Sequence, residues 1–285
     1  MPSFPIVDSH LHIWDPKRFR YPWLASVKAF DRPMLLEDYD EAAGKGTVDT
    51  MVFLECDVAP DQALDEACWV AEQAKIDPRI RAIVPHAPLE KGEAVLPHLE
   101  ALAQIGLVHG VRRLIQGEPD VAFCIRPGFV AGVKLLPRFG WSFDACIYHH
   151  QLASVIRLAD LCPEVPIVLD HIGKPGIREG LVEPWRSQMV EIARRENVVC
   201  KLSGVATEAD HRNWSRDQIK RYTMSAVEAF GPNRIMFGGD WPVSTLAIAY
   251  PTWIEIVDEM LSGFSEAERR AIYRDTAIRF YRIAA

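Results

Sequence analysis

Eight short apolar, β-rich runs recur along the chain, separated by stretches of helical periodicity. They begin near Ile6, Val48, Ile80 and Val108, then near Trp141, Pro166, Asn197 and Arg234. Their apolar character is continuous rather than alternating, which suits strands covered on both faces in a parallel sheet. Between them, Leu64, Ala67, Cys68 and Ala71 fall at i, i+3, i+4 and i+7, as do Leu152, Val155, Ile156 and Ala159. That spacing lines up one apolar face on a helix. Ser215 with Gln218, and Ser265 with Glu268, have the spacing of helix N-terminal capping boxes. Eight β-then-α units predict an α/β fold, a (β/α)8 TIM barrel. An open doubly wound sheet is the alternative. Neither G-x-G-x-x-G nor G-x-x-x-x-G-K-[ST] follows any run, so the usual nucleotide-binding signatures are missing. No Ser/Gly/Pro-rich linker divides the chain, and residues 1–285 are read as a single domain.

Charge narrows the partners. Lys and Arg number 32 against 39 Asp and Glu, a net of −7, which lacks the basic surplus expected for nucleic acid or anionic membrane. No stretch approaches the ~18 uninterrupted apolar residues needed to span a bilayer. Met1 to Ile6 lacks a basic-then-apolar leader pattern. The six cysteines form no CxxC pair, and the closest two, Cys56 and Cys68, are 12 apart. The expectation is a cytoplasmic protein with reduced thiols, acting on a small molecule.

Chemistry-bearing residues gather where the runs end. The first ends Asp8-Ser9-His10-Leu11-His12, and alternation points His10 and His12 to one side. The sixth ends Asp170-His171-Ile172-Gly173-Lys174-Pro175, the eighth Gly238-Gly239-Asp240-Trp241-Pro242. Barrel enzymes draw catalytic groups from the C-terminal ends of several strands. If the sheet closes, the first and last strands are neighbours, so Asp240 stands beside His10 and His12 with His171 near. Two imidazoles and a carboxylate suit one catalytic divalent metal, Zn²⁺ or Mn²⁺. Each segment alone also reads as ordinary packing or a charged turn; together, in this order, they point to a site.

Other strand-end residues supply substrate-binding candidates. Arg112 and Arg113 alternate on the fourth run. One of them faces the barrel interior and grips a substrate oxygen, while the other pairs with the helix layer. Glu55, His86 and Lys201 close other runs, and Lys201 and Lys174 read equally well as solvated rim charges. Tyr148, His149 and His150 are read as the end of strand five, with alternation sending His150 and Tyr148, or His149 alone, inward. Trp14, Trp23 and Trp241 lie near these ends, where an aromatic face can stack on a sugar ring; for Trp241, packing of the loop is the stronger reading.

The segments DSHLHIWD (Asp8 to Asp15), FDACIYHHQL (Phe143 to Leu152), VLDHIGKP (Val168 to Pro175), CKLSG (Cys200 to Gly204) and FGPNRIMFGGDWP (Phe230 to Pro242) run in order along nearly the whole chain. In them the sequence resembles the amidohydrolase superfamily, in its branch of metal-optional or mononuclear lactonases. The resemblance implies a hydrolase opening an L-fuconolactone-like sugar lactone to the sugar acid. Asp240 would activate water, and His171, or a metal on His10, His12 and Asp240, would polarise the carbonyl. It favours Arg112 over Arg113 as the inward arginine. Strand four holds no lysine to become the carboxylated bridge of two-metal relatives, so the implied metal is single and optional to activity. Gly239 stands where relatives often have Ser, a change expected to be tolerated. Alternatives are a lactonase for a carboxylated pyrone or muconolactone, or a metal-dependent aromatic-acid decarboxylase. Few arginines converge on the strand ends, which favours a neutral lactone over a dicarboxylate.

Overall fold

The computed structural model describes residues 2–44 and 47–284. Its strands are β1 (Ile6–Leu11), β2 (Val48–Leu54), β3 (Ile80–Val84), β4 (Gly110–Arg112), β5 (Ser142–Ala145), β6 (Ile167–Leu169), β7 (Val198–Leu202) and β8 (Ile235–Phe237). All pair in parallel, β1 to β3 in one run and β4 to β8 in another. Single bridges close the two seams. Ile83 with Val108 and His86 with Arg112 join β3 to β4, and Leu11 with Trp241 joins β1 to the end of β8. The result is a closed (β/α)8 barrel.

The helices are α1 (Leu36–Ala43), α2 (Ala63–Ile76), α3 (Leu96–Leu102), α4 (Pro127–Val133), α5 (Leu152–Leu161), α6 (Trp185–Ile192), α7 (Arg216–Phe230), α8 (Tyr250–Met260), α9 (Glu266–Arg270) and α10 (Thr276–Tyr281). Ser215 Oγ accepts from the Gln218 amide at the start of α7, and Ser265 and Glu268 form the capping box of α9. On α2 the buried face is Ala63, Glu66, Ala67 and Val70, while Cys68 is exposed. The expected stripe is thus rotated by about one residue. Glu66 is held inward by the Cys56 amide, which donates to its Oε2 (3.4 Å), and Leu64 and Ala71 stay partly buried at the edge of the face.

Residues along each strand alternate between bore and outer layer. Phe143, Cys200, Leu202, Ile235 and Phe237 join the large outer core against the helices. Val7, Val168, Val199 and Met236 pack with Ala277 and Tyr281 of α10 in a smaller cluster that plugs the bore. The next interior residues toward the C-terminal end are polar: Asp144, Asp170 and Lys201 are each 0% exposed. The site stands on this buried charged layer. No helix among the described residues is long and apolar enough to cross a membrane.

Strand five is shorter than its apolar run. It stops at Ala145, and His149 to Gln151 form a single helical turn. The Tyr148 amide donates to Gln151 Oε1 (3.0 Å), and the same side chain donates to Ile115 O (2.9 Å). That local turn replaces strand pairing, so alternation does not govern Tyr148, His149 and His150.

Candidate active site

The closed seam brings the first and last strands together. The Asp240 amide donates to His10 O (2.8 Å), and the His12 amide to Trp241 O (2.9 Å). His12 Nδ1 lies 2.9 Å from Leu54 O, a carbonyl that only accepts, so the proton sits on Nδ1. His12 Nε2 therefore turns its lone pair on Asp240 Oδ1 at 3.5 Å. His10 Nε2 is 3.7 Å from the same oxygen, and all three groups are buried. Two acceptors facing each other with no proton between them want a cation. In the surrounding layer Arg112 is engaged by Glu55 and Asp170, and Lys201 by Asp144 and Asp170, whereas among the described residues Asp240 has only the two imidazoles as ion-pair partners. His10, His12 and Asp240 therefore fit a divalent metal in ligand type, spacing and charge.

His171 completes the cluster, its ring 4.4 Å from that of His10 and its Nδ1 2.9 Å from Ser203 Oγ. Asp240 and His171 approach because residue 204 is glycine. A Cβ there would lie 2.6 Å from Asp240 Oδ2 and 2.6 Å from His171 Nδ1. Asp57, His171, Lys174 and Asp240 all hold left-handed backbone, with φ between 45° and 54°. Such conformations cost of order 1–3 kcal/mol each and collect at functional sites. Here all four line one cavity of about 200 Å³.

Gly239 is demanded by its neighbours. Its amide donates to Asp8 Oδ1 at 2.7 Å, and a Cβ would collide with the Tyr250 ring. Tyr250 and Tyr39 both donate to Asp8 Oδ2, at 2.9 and 3.0 Å. The ring of Tyr250 fills the space that a serine at 239 would need.

The cavity wall includes His12, Trp14, Glu55, Arg112, His171 and Asp240. Arg112 Nε donates to Glu55 Oε1 (2.8 Å), and its Nη1 lies 3.2 Å from His10 Nε2 and 3.5 Å from Asp170 Oδ2. Of the candidate substrate contacts, Arg113 takes the helix-layer place expected of one of the two arginines, and three others stand elsewhere. Arg113 turns to the helix layer, 3.1 Å from Glu90 Oε2 and 2.6 Å from Glu118 Oε1. His86 lines a separate depression with His98 and Arg113. His150 sits on the local turn after β5 and borders a neighbouring cavity. Lys201 lies below the site in the bore, 2.7 Å from Asp144, 3.0 Å from Asp170 and 3.4 Å from His10 Nδ1. Trp241 packs edge-on to Tyr39 at 5.5 Å.

Sequence reasoning passed over Asp57, Gln116 and Cys146 on the wall, and Asp144 and Asp170 beneath it. For Asp144 the signal existed: a carboxylate inside an apolar strand run must be paired or functional. Gln116 and Asp57 belong to loops with no comparable mark.

Electrostatics sort the groups. Burial alone would raise the Asp240 carboxyl, but the facing imidazoles of His171, His12 and His10 hold it below the ordinary carboxylate range. Burial drops His171 to about 4, despite the opposing pull of Asp240. At neutral pH the pair is a carboxylate beside a neutral imidazole.

Behind the wall, burial and the charge of Glu55 push Glu66 up to about 8. The unfolded carboxyl ionises near 4.5, whereas the folded one keeps its proton until about 8. Between those values the unfolded chain binds fewer protons, so stability falls as pH rises. Thermal melts at pH 5 and pH 8 are expected to differ by at least about 1 kcal/mol from this group. Glu66→Gln should flatten that part of the profile; an unchanged profile counts against the assignment.

These placements match a known family. Its model, described as amidohydrolase, covers residues 7–283. The chain belongs to the amidohydrolase family. Among its relatives, the L-fucono-1,5-lactonase of Burkholderia multivorans is 32% identical over 287 residues, spanning 96% of this chain and 95% of its own. The 4-sulfomuconolactone hydrolase of Rhizobium radiobacter is 27% identical over 248 residues, 83% of this chain and 75% of its own. The crystal structure of a Burkholderia multivorans amidohydrolase with bound zinc superposes with a TM-score of 0.87 at 30% identity, covering 99% of this chain and 100% of that one. The amidohydrolase barrel is thus shared over its full length.

Proposed function

We propose that this amidohydrolase opens a neutral sugar lactone to its sugar acid. The observation that carries the substrate class is that each cation on the cavity wall is already engaged. Arg112 is held by Glu55 and Asp170, and Lys174 by Gln116 (2.6 Å) and Glu208 (3.8 Å). A carboxylated lactone would need a free guanidinium or ammonium. A polyhydroxy ring instead finds Gln116, Asp57 and Glu55 for its hydroxyls and Trp14 and Trp23 for its apolar edge.

Asp240 takes a proton from water, and the water oxygen adds to the lactone carbonyl carbon. Asp240 then returns the proton to the ring oxygen as the carbon–oxygen bond breaks. The free acid ionises and releases one proton to solvent. In the tautomer where Ser203 Oγ donates to His171 Nδ1, Nε2 carries the proton and can donate to the developing oxyanion, with Arg112 as neighbouring positive charge. A divalent ion on His10, His12 and Asp240 would add Lewis-acid polarisation of that carbonyl.

Proton release across a panel of sugar and carboxylated lactones tests this reading, before and after chelation. Rapid acidification with hexono- or pentonolactones is expected, with carboxylated lactones slow. Silence on sugar lactones with turnover of carboxylated ones would overturn the substrate class. The chelated sample separates chemistry done by the side chains from chemistry that needs the ion.

A further inference from the structure

A second cavity of about 420 Å³ adjoins the catalytic one. Three consecutive loops build it: Tyr148 to His150 after β5, Lys174 to Leu181 after β6, and Thr207 to His211 after β7. All lie at the C-terminal ends of strands, the face on which barrel enzymes bind substrate. Lys174 lines both cavities. Its Nζ is 2.6 Å from Gln116 Oε1 on the catalytic side and 3.8 Å from Glu208 Oε1 on the other. One side chain is thus common to the two walls, and its φ of 45° holds it there at the expense of backbone strain.

Resting on the lactonase reading, we propose that this outer cavity binds a second sugar unit, so that the substrate is an aldonolactone bearing a glycosyl substituent. Size is the first argument. The catalytic cavity at about 200 Å³ falls below the roughly 300–1,000 Å³ usual for small-molecule sites, and the two together fall within it. Aromatic surface is the second. Tyr148 is 38% exposed although it lies on the functional face. Its ring runs nearly parallel to His150 (6.1 Å, 19°), and His149 stands edge-on to His150 (5.8 Å, 85°). Exposed flat rings of this kind take the apolar face of a pyranose while hydroxyls reach polar groups at the rim. Charge is the third. Lys174 and Arg178 are matched by Glu179 and Glu208, so the lining has no excess charge to draw in a phosphate or carboxylate. It offers donors and acceptors for a neutral polyhydroxy unit. This also assigns His150 a place on a sugar-binding surface, one cavity away from the reacting carbonyl.

The test compares kcat/KM for gluconolactone with those for cellobionolactone and lactobionolactone, which add one sugar to it. A glycosylated lactone is expected to be favoured about tenfold, equivalent to roughly 1.4 kcal/mol of added binding. Tyr148→Ala should bring that ratio to about one, and Tyr148→Phe, which keeps the ring, should preserve it. A wild-type enzyme that turns over gluconolactone at least as well as both glycosylated lactones overturns the subsite and leaves the lactonase reading standing. A preference that survives Tyr148→Ala also overturns it. If no lactone is hydrolysed, the lactonase reading has failed. Calorimetric titration with cellobiose and lactose then decides the subsite: binding weakened by Tyr148→Ala supports it, and no binding of either disaccharide overturns it.

Discussion

Asp240→Asn is expected to reduce lactone turnover by about 10³-fold or more, the scale of a lost general base that also serves as general acid. The amide has nearly the shape of the carboxylate, so the backbone bond from residue 240 to His10 O and the left-handed turn should persist. Circular dichroism and melting temperature should stay near wild type. The substitution also removes one oxygen ligand from the cluster with His10 and His12, so metal content should be measured on the same sample. His12→Ala separates the two roles. It removes a ligand but leaves the base, so if chelation spares the wild-type rate, His12→Ala should lose far less activity than Asp240→Asn. Residual turnover above a tenth of wild type in Asp240→Asn would remove Asp240 from the chemistry.

Lys201→Met is expected to give the largest loss of stability. Lys201, Asp144 and Asp170 are each 0% exposed, and both oxygens of Asp170 lack a conventional hydrogen-bond donor. The ammonium at 2.7 and 3.0 Å, with Arg112 at 3.5 Å and His10 at 3.4 Å, is what offsets the two carboxylates. Deleting one partner of a buried ion pair typically costs about 3–5 kcal/mol, because the remaining charge stays desolvated. Urea unfolding would show it as a lower midpoint. Adding Asp144→Asn should recover part of the loss, since Tyr281 can still donate to the residue at that position (2.6 Å in the wild type). Arg113→Ala provides the contrast. Its partners Glu90 and Glu118 lie in the half-exposed helix layer, where an ion pair contributes about 1 kcal/mol or less. Equal losses in Lys201→Met and Arg113→Ala would contradict the depth assigned to Lys201.

The two arginines of strand four illustrate how far local pattern reaches. Alternation alone required that Arg112 and Arg113 part company. Which one entered the bore depended on the register of β4 against β5, where Arg112 pairs with Asp144. The same pairing explains Lys201. Its position at the end of an apolar run left a substrate contact and a rim charge equally open, but the stagger of β7 places it beneath His10, where the next layer up forms the site.

The order of eight strands, the shared side of His10 and His12, the approach of Asp240 across the closing seam and the caps of α7 and α9 were all legible in the chain. Each follows from period, spacing or a rule of closure, and these act over a few residues or one whole sheet. Tertiary structure alone decided the end of β5, the inward face of α2, the depth of Lys201, the exile of His86 from the cavity, and the second cavity shared through Lys174. Those outcomes depend on strand stagger and on loops packing against other loops. Side chains 20 to 60 positions apart, such as Gln151 on Ile115 O and Lys174 on Gln116, settle them, and no local pattern records those pairings.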